Sequence, residues 1–85
     1  MAELTQRQET MLALIIHEYT ETGQPVGSVN LVDKYNLGVS SATVRNEMVA
    51  LTDSGLLRQP HTSAGRVPSK EEIRSWVTTA LAKAA

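Results

Sequence analysis

The chain has no cysteine and no phenylalanine, and it is poor in aromatic residues generally. Its 85 residues include two tyrosines and one tryptophan. Without cysteine there is no disulfide framework, no thiol nucleophile and no cysteine-based zinc site, which fits a protein of a reducing cytoplasm. So few aromatic rings do not provide the stacking surfaces by which proteins bind single-stranded nucleic acid. If nucleic acid is the partner, we therefore expect a duplex.

Long hydrophobic runs are also absent. No segment approaches the roughly 18 apolar residues of a membrane span, and the N-terminus lacks the basic and apolar regions of a signal peptide. We therefore expect a soluble, cytoplasmic chain. Its length suits one small domain over residues 1–85, which buries only about 60–65 % of its unfolded surface.

Charge is nearly balanced overall but unevenly distributed. The formal net charge is −1, which argues against a polycation that coats nucleic acid. Residues 1–30 are mainly acidic, whereas residues 31–70 carry an excess of basic side chains, namely Lys34, Arg45, Arg58, Arg66 and Lys70. The second segment is therefore the one expected to face phosphate groups.

A capping box predicts where the first helix begins. Thr5 can accept a hydrogen bond from the N–H of Gln8 while the Gln8 side chain reaches back to Thr5. We predict a helix over 5–22, ending before Gly23. Its apolar face is broad enough for a central helix, with Met11, Leu12, Leu14, Ile15, Ile16 and Tyr19 at helical spacing.

Two shorter helices follow, separated by a turn. We predict one over 28–36, with Ser28 as its cap, and another over 41–54, capped by Ser40 or Ser41. This spacing is typical of a helix-turn-helix.

The remaining residues predict a hairpin and a last helix. Gly55 suits the left-handed position past the third helix, and 56–68 has two short apolar runs around a polar loop. Ser69 and Glu72 form a second capping box that opens a helix over 69–83. The expected fold is mainly α with a small β-hairpin, a winged helix-turn-helix.

The third helix has one face suited to reading bases. Its apolar residues Val44, Met48 and Leu51 share one side, which turns Ala42, Arg45, Asn46 and Val49 to the other. Arginine can fork onto guanine and asparagine onto adenine, while Ala42 or the methyl group of Thr43 can touch a thymine methyl. An ordinary solvated helix face is the alternative interpretation.

Other residues are candidates for backbone contacts. The serine of the pair Ser40 and Ser41 that does not cap the third helix is free to meet a phosphate, and we assign that role to Ser41. The full set of phosphate candidates is Ser28, Lys34, Ser41, Arg58 and Lys70. At the tip of the wing the candidates are His61, Thr62, Ser63 and Arg66, of which the arginine could enter a minor groove. The alternatives are helix caps and a solvent loop with an incidental arginine.

Nothing in the sequence indicates catalysis. His61 has no second ligand at metal spacing, and His17 lies mid-helix among apolar neighbours, where we expect a packed or solvated histidine. Glu71 and Glu72 point in different directions from a helix start. Glycine-rich phosphate loops are missing. We therefore expect no enzyme activity, no metal and no cofactor.

Two segments, 40–48 and 59–68, closely resemble the N-terminal domain of the heat-inducible transcription repressor family, HrcA. They read SSATVRNEM and QPHTSAGRVP, and the similarity extends back through LTQRQ at 4–8 and EYTETGQPVGS at 18–28. The resemblance implies a bacterial repressor whose third helix and wing contact DNA. It also implies binding as a dimer to an inverted-repeat operator ahead of chaperone genes, release on heat shock, and the chaperonin as co-regulator. Family members are several times longer, and the rest of their chain would supply dimerisation.

A second function remains open on the residues alone. The nearly neutral charge permits a winged helix that binds another protein instead of DNA. The dependence of duplex affinity on salt distinguishes the two, because phosphate contacts release counterions.

Overall fold

The computed structural model of the chain describes residues 4–61 and 64–76. In chain order it has three helices, an antiparallel pair of strands and a further helical segment. Their bounds are α1, Gln6–Thr22; α2, Ser28–Lys34; α3, Ser41–Asp53; β1, Leu57–Arg58; β2, Val67–Pro68; and α4, helical over the described residues 70–76. The predicted fold class and order of elements are confirmed.

Helix α1 begins with the predicted capping box. Thr5 Oγ1 accepts a hydrogen bond from the N–H of Gln8 at 3.1 Å, and Gln8 Oε1 accepts one from the N–H of Thr5 at 3.0 Å. Thr5 has extended backbone angles, so the helix starts one residue after the predicted bound. Gly23 ends it with φ at 68°, and its N–H donates to the carbonyl of Tyr19.

Helix α2 is shorter than predicted and lacks the predicted cap. Gly27 occupies the cap position and provides no side-chain hydrogen bond, whereas Ser28 is the first helical residue and is buried. The helix ends at Lys34 because Tyr35 takes extended angles, with φ −120° and ψ 140°. The hydroxyl of Tyr35 donates to a carboxylate of α1. A tertiary contact therefore ends the helix where the local pattern would continue it.

Helix α3 is capped by the first of the two candidate serines. The N–H of Thr43 donates to Ser40 Oγ at 3.2 Å, so Ser40 is the cap. The helix ends at Asp53, one residue before the predicted bound, because Ser54 is its C-cap. Gly55 has φ at 83°, as predicted for a left-handed residue past the helix.

A third extended segment, which the sequence did not predict, joins the hairpin. Leu57 of β1 pairs with Pro68 of β2. Val26 then forms an isolated antiparallel bridge to Arg66, with N···O distances of 2.8 and 2.9 Å. Val26 lies in the glycine- and proline-rich segment 23–27, whose composition indicates only a turn. The bridge attaches the base of the wing to the connection between α1 and α2.

Helix α4 opens with part of its predicted capping box. The N–H of Glu72 donates to Ser69 Oγ at 3.1 Å. The helix begins at Lys70 because Ser69 is the cap, and the N–H of Ser69 donates to the carbonyl of Leu56 at 3.0 Å. The predicted helical residues 77–83 lie outside the described residues. Within the described ranges, no helix is both long and apolar enough to cross a bilayer.

The core lies between α1, α3 and the hairpin. Helix α2 packs on α3, and α1 contacts α3 and β2. Burying a leucine, isoleucine or methionine side chain contributes about 1.5–3 kcal/mol, so this cluster determines which face of each helix turns outward. Its buried members are Met11, Leu12, Ile15, Ile16, Val26, Leu31, Val44, Met48, Leu51 and Leu57.

Candidate nucleic-acid interface

The outward face of α3 presents the predicted reading residues. The core holds the opposite side of the helix, which is the predicted apolar side. Thr43 is half-buried, and its hydroxyl lies 3.2 Å from Ser40 Oγ, so part of its polar group is engaged in the cap. Four side chains are exposed on the outward face: Ala42, Arg45, Asn46 and Val49. The geometry permits Arg45 and Asn46 to meet base edges while the helix stays anchored.

A groove of about 510 Å³ runs between the start of α2, the outward face of α3 and the base of the wing. We call it the α3–wing groove. None of the described residues that line it is acidic, whereas two are arginines. The groove is lined by Gly27, Ser28, Val29, Asn30, Arg45, Met48, Val49, Gln59, Ala64, Gly65 and Arg66. Its charge is complementary to a polyanion.

Arg66 lies at the base of the wing, not at its tip. The residue is only 9 % exposed. Its Nε donates to Thr52 Oγ1 at 2.9 Å and its Nη1 donates to the carbonyl of Ala64 at 2.7 Å. The predicted minor-groove arginine is therefore placed where it connects the wing to α3.

Thr52 completes this connection. Its hydroxyl accepts from Arg66 and donates to the carbonyl of Met48 at 2.7 Å. The guanidinium group is thus linked through one hydroxyl to the backbone of α3. A charged donor at one end polarises the chain of bonds, which strengthens it. These bonds hold the wing in a fixed position relative to α3.

Gly65 allows the wing to approach the connection before α2. A Cβ atom at this position would lie 3.0 Å from Pro25 Cβ and 3.1 Å from the carbonyl oxygen of Val26. Real Cβ atoms essentially never come closer than this, and backbone atoms cannot move aside cheaply. A side chain at position 65 would therefore push the wing base away from this connection by a few tenths of an ångström, which glycine avoids.

Lys34, a predicted phosphate contact, is paired within the protein. Its Nζ lies 2.6 Å from Glu18 Oε1, and the hydroxyl of Tyr35 donates to the same oxygen at 3.0 Å. The Glu18 side chain is buried, whereas the Lys34 side chain is 54 % exposed. We call these three residues the Glu18 cluster. It joins α1 to the end of α2.

The pKa values of the cluster reflect this pairing. The hydrogen bond from Lys34 lowers the pKa of Glu18 below its ordinary value, against the opposing effect of burial. The same bond raises the pKa of Lys34. Burial raises the pKa of Tyr35, and its hydrogen bond to Glu18 adds to the effect. The carboxylate and the ammonium therefore favour each other's charged form.

The other predicted site residues are dispersed. Ser28 is buried and lines the α3–wing groove, and Ser41 is half-buried at the start of α3. His61 is exposed at the start of the wing loop, whose predicted contacts Thr62 and Ser63 lie outside the described residues. Arg58 and Lys70 are exposed and line a second depression, together with Thr52, Gly55, Leu57, Ser69 and Glu71. That depression shares no lining residue with the groove.

The sequence interpretation missed three residues that organise this region. Glu18 lies three residues after Ile15 on the apolar side of α1, where a carboxylate needs a partner. Helical periodicity could therefore have identified it. No sequence signal identifies Thr52 as the acceptor for Arg66, or Val26 as its bridge partner, because both contacts join distant segments.

Across residues 4–61 and 64–76, no group of three histidine, cysteine, aspartate or glutamate side chains is placed to hold a metal ion. His17 Nε2 and Glu21 Oε1 lie 3.8 Å apart, one turn apart on the exposed side of α1. This pair has no third ligand among the described residues.

Curated relatives with high sequence identity share one name. A heat-inducible transcription repressor HrcA of Clostridium perfringens is 58 % identical over 71 residues, which cover 84 % of this chain and 21 % of that protein. The chain aligns with the N-terminal part of these HrcA repressors. HrcA of Moorella thermoacetica is 53 % identical over 74 residues, covering 87 % of this chain and 22 % of that protein. HrcA of Limosilactobacillus reuteri is 53 % identical over 78 residues, which cover 92 % of this chain and 22 % of that protein.

The chain thus spans about a fifth of the length of the HrcA relatives it matches. A solved crystal structure of a hypothetical protein at 2.2 Å resolution is also similar, with a TM-score of 0.84 and 40 % identity. That match covers 93 % of this chain and 24 % of the other. No family model matches the chain. The predicted resemblance to HrcA and the predicted fold are confirmed.

Proposed function

We propose that this chain is the sequence-specific, duplex-binding domain of a transcriptional repressor of heat-shock genes, with α3 in the major groove and the wing on the flanking backbone. The observation that carries the proposal is the exposed face of α3 beside a groove whose described lining residues include two arginines and no acidic side chain. The names of the HrcA relatives support the repressor role.

In this proposal α3 supplies the base contacts. Arg45 would donate two hydrogen bonds to a guanine, and Asn46 would pair with an adenine. Both side chains are exposed and lie next to each other on the helix. Ala42 is exposed near the start of the same face, and it or the methyl group of the neighbouring Thr43 would meet a thymine methyl, the matching apolar group.

The backbone contacts are divided between two surfaces. Ser41 at the start of α3 and the tip residues His61, Thr62 and Ser63 would meet phosphates flanking the reading helix. Arg58 and Lys70 would reach a more distant phosphate from the second depression. Arg66 acts by holding the wing, Lys34 is engaged with Glu18, and Ser28 is buried, so we assign these three residues supporting roles.

Repression would require two such domains. An inverted-repeat operator presents half-sites about 34–36 Å apart, or a multiple of that distance, which a dimer can span. We propose a homodimer acting in the bacterial cytoplasm, where the chromosome lies. The predicted chaperonin co-regulator stays a prediction.

The decisive experiment replaces Arg45 by alanine. Duplexes selected from a random pool by the parent chain would be titrated by fluorescence anisotropy with the parent and the variant. Loss of a bidentate guanine contact should cost about 1–3 kcal/mol, or roughly 5- to 150-fold in affinity, and relax preference at one base pair.

Arg7→Ala is the matched control, because Arg7 is exposed on α1 and does not line the groove. It should leave base preference unchanged. Equal binding by the parent and Arg45→Ala would contradict the assignment of α3. Failure of the pool to yield any bound duplex, with a flat dependence of binding on salt, would favour the protein-interaction alternative.

A further inference from the structure

Exposed valines are concentrated in the α3–wing groove. Among the described residues, the large hydrophobic side chains that are exposed are Val29 at 53 %, Val49 at 42 % and Trp76 at 36 %. Single exposed apolar residues are common on protein surfaces. Here, however, Val29 and Val49 line the same groove. The groove therefore combines cationic and apolar groups.

Val49 lies on the reading face of α3. It follows Arg45 by four residues, which places the two side chains one above the other on the same side of a helix. The buried side of α3 points elsewhere, through Val44, Met48 and Leu51. Val49 thus extends the reading face by one turn beyond Arg45, with methyl groups in place of hydrogen-bonding atoms.

The surroundings of Val49 favour a nucleic-acid base over an apolar protein surface. The described residues that line its groove include Arg45 and Arg66, the polar side chains Asn30 and Gln59, and no acidic side chain. An apolar protein segment would bury these cations without a counter-charge, which is unfavourable. The major groove of DNA offers phosphates around one kind of apolar group, the C5-methyl of thymine.

We infer that Val49 is a specificity-determining residue that contacts the C5-methyl group of a thymine in the major groove, one helical turn beyond the base read by Arg45. The inference rests on the proposed DNA-binding function. It adds an apolar contact at the far end of α3 to the hydrogen-bonding contacts near its middle. Thymine would be preferred there because cytosine and uracil present no methyl group.

The experiment compares two removals of methyl groups, one on each partner. Duplexes selected from a random pool by the parent chain would be resynthesised with deoxyuridine replacing each thymine in turn, which removes only the methyl. The parent should lose about three- to fourfold in affinity at one position, the effect of one buried methyl group. The affinity of the Val49→Ala variant should not change when deoxyuridine replaces thymine at that position.

Val29→Ala is the matched control, because Val29 is exposed in the same groove but lies on α2. It should retain the full sensitivity to deoxyuridine at that position. Circular dichroism would verify that both variants are folded, as expected for exposed residues. If Val49→Ala binds the selected duplexes but keeps the parent's sensitivity at every thymine, the inference is overturned while the proposed function stands. If the parent selects no duplex, the proposed function itself fails.

Discussion

Two regions of this molecule hold cations in opposite surroundings. In the α3–wing groove, no described lining residue is acidic, and Arg66 donates to neutral oxygens of Thr52 and Ala64. In the Glu18 cluster, Lys34 lies 2.6 Å from a carboxylate. A neutralised cation stabilises its own fold, whereas cations without a counter-charge leave a positive potential for an anionic partner. Exposure alone does not separate the two surroundings, because Lys34 is 54 % exposed and paired with a carboxylate, whereas Arg66 is 9 % exposed and donates to neutral oxygens.

Among the substitutions that test this comparison, Arg66→Met should have the largest effect on stability and duplex affinity. The change leaves Thr52 Oγ1 and the Ala64 carbonyl without their charged donor, at a cost of about 1.5–3 kcal/mol in the free energy of unfolding. Affinity for selected duplexes should fall as well, because the wing is no longer held against α3. Urea unfolding and fluorescence anisotropy measure the two quantities.

The partial variant Thr52→Val sharpens this test. Valine keeps the shape of threonine but removes the acceptor for Arg66, while the bond from Arg66 to the Ala64 carbonyl remains. The losses of stability and of duplex affinity should therefore both be smaller than in Arg66→Met. A loss of affinity in Arg66→Met with unchanged stability would instead assign Arg66 a direct contact with DNA, and would contradict the supporting role proposed above.

A smaller effect is expected from Gly65→Ala, which changes the packing of the groove without changing its charge. The added Cβ would lie 3.0 Å from Pro25 Cβ and 3.1 Å from the Val26 carbonyl, so the wing base must shift, at about 1–3 kcal/mol. Thermal unfolding would show a lowered Tm. Gly27→Ser is the control, since a Cβ there would meet nothing within 4 Å and serine also suits the cap position of α2. Equal Tm values for the two variants would argue against the close packing.

The smallest effect should come from Glu18→Gln in the other region, and it should depend on pH. Because Lys34 lowers the folded-state pKa of Glu18, the unfolded chain binds this proton more readily. The pair therefore contributes fully above the ordinary carboxyl pKa, and its contribution is lost as pH falls through the lowered folded value. Over this acid range the Tm of the parent should fall more than the Tm of Glu18→Gln. At pH 7 the duplex affinity of Glu18→Gln should match that of the parent.

Glu21→Gln is the control for this pH profile. Glu21 lies on the same helix, is exposed, and has His17 Nε2 at 3.8 Å as its ion-pair partner. This variant removes a carboxylate of α1 that lies outside the Glu18 cluster, so it shows how the loss of an exposed carboxylate alone changes the profile. If the dependence of Tm on pH is the same for Glu18→Gln and the parent, the charges of the Glu18 cluster do not contribute to stability.

The sequence predicted those parts of the fold that local patterns encode. The capping box of Thr5 and Gln8, the left-handed Gly55 and the two faces of α3 are all confirmed, because each depends on residues within a few positions. The early end of α2 at Lys34 was not predicted, since Tyr35 leaves the helix to reach Glu18 across the fold.

The candidate site was predicted less completely than the fold. The exposed positions of Arg45 and Asn46 follow from helical periodicity alone. Arg66 was placed at the tip of the wing because an arginine in a polar loop is ordinarily exposed. Its burial depends on Thr52, fourteen residues earlier, and on the bridge to Val26, and no local pattern encodes these contacts.

The link from Arg66 through Thr52 to the carbonyl of Met48 fixes the distance between the wing and α3. A duplex that contacts both elements would need a matching distance between its major groove and the flanking backbone. That distance varies with local twist and groove width, which depend on base sequence. Such a domain would select among duplexes partly by their shape at base pairs it never touches.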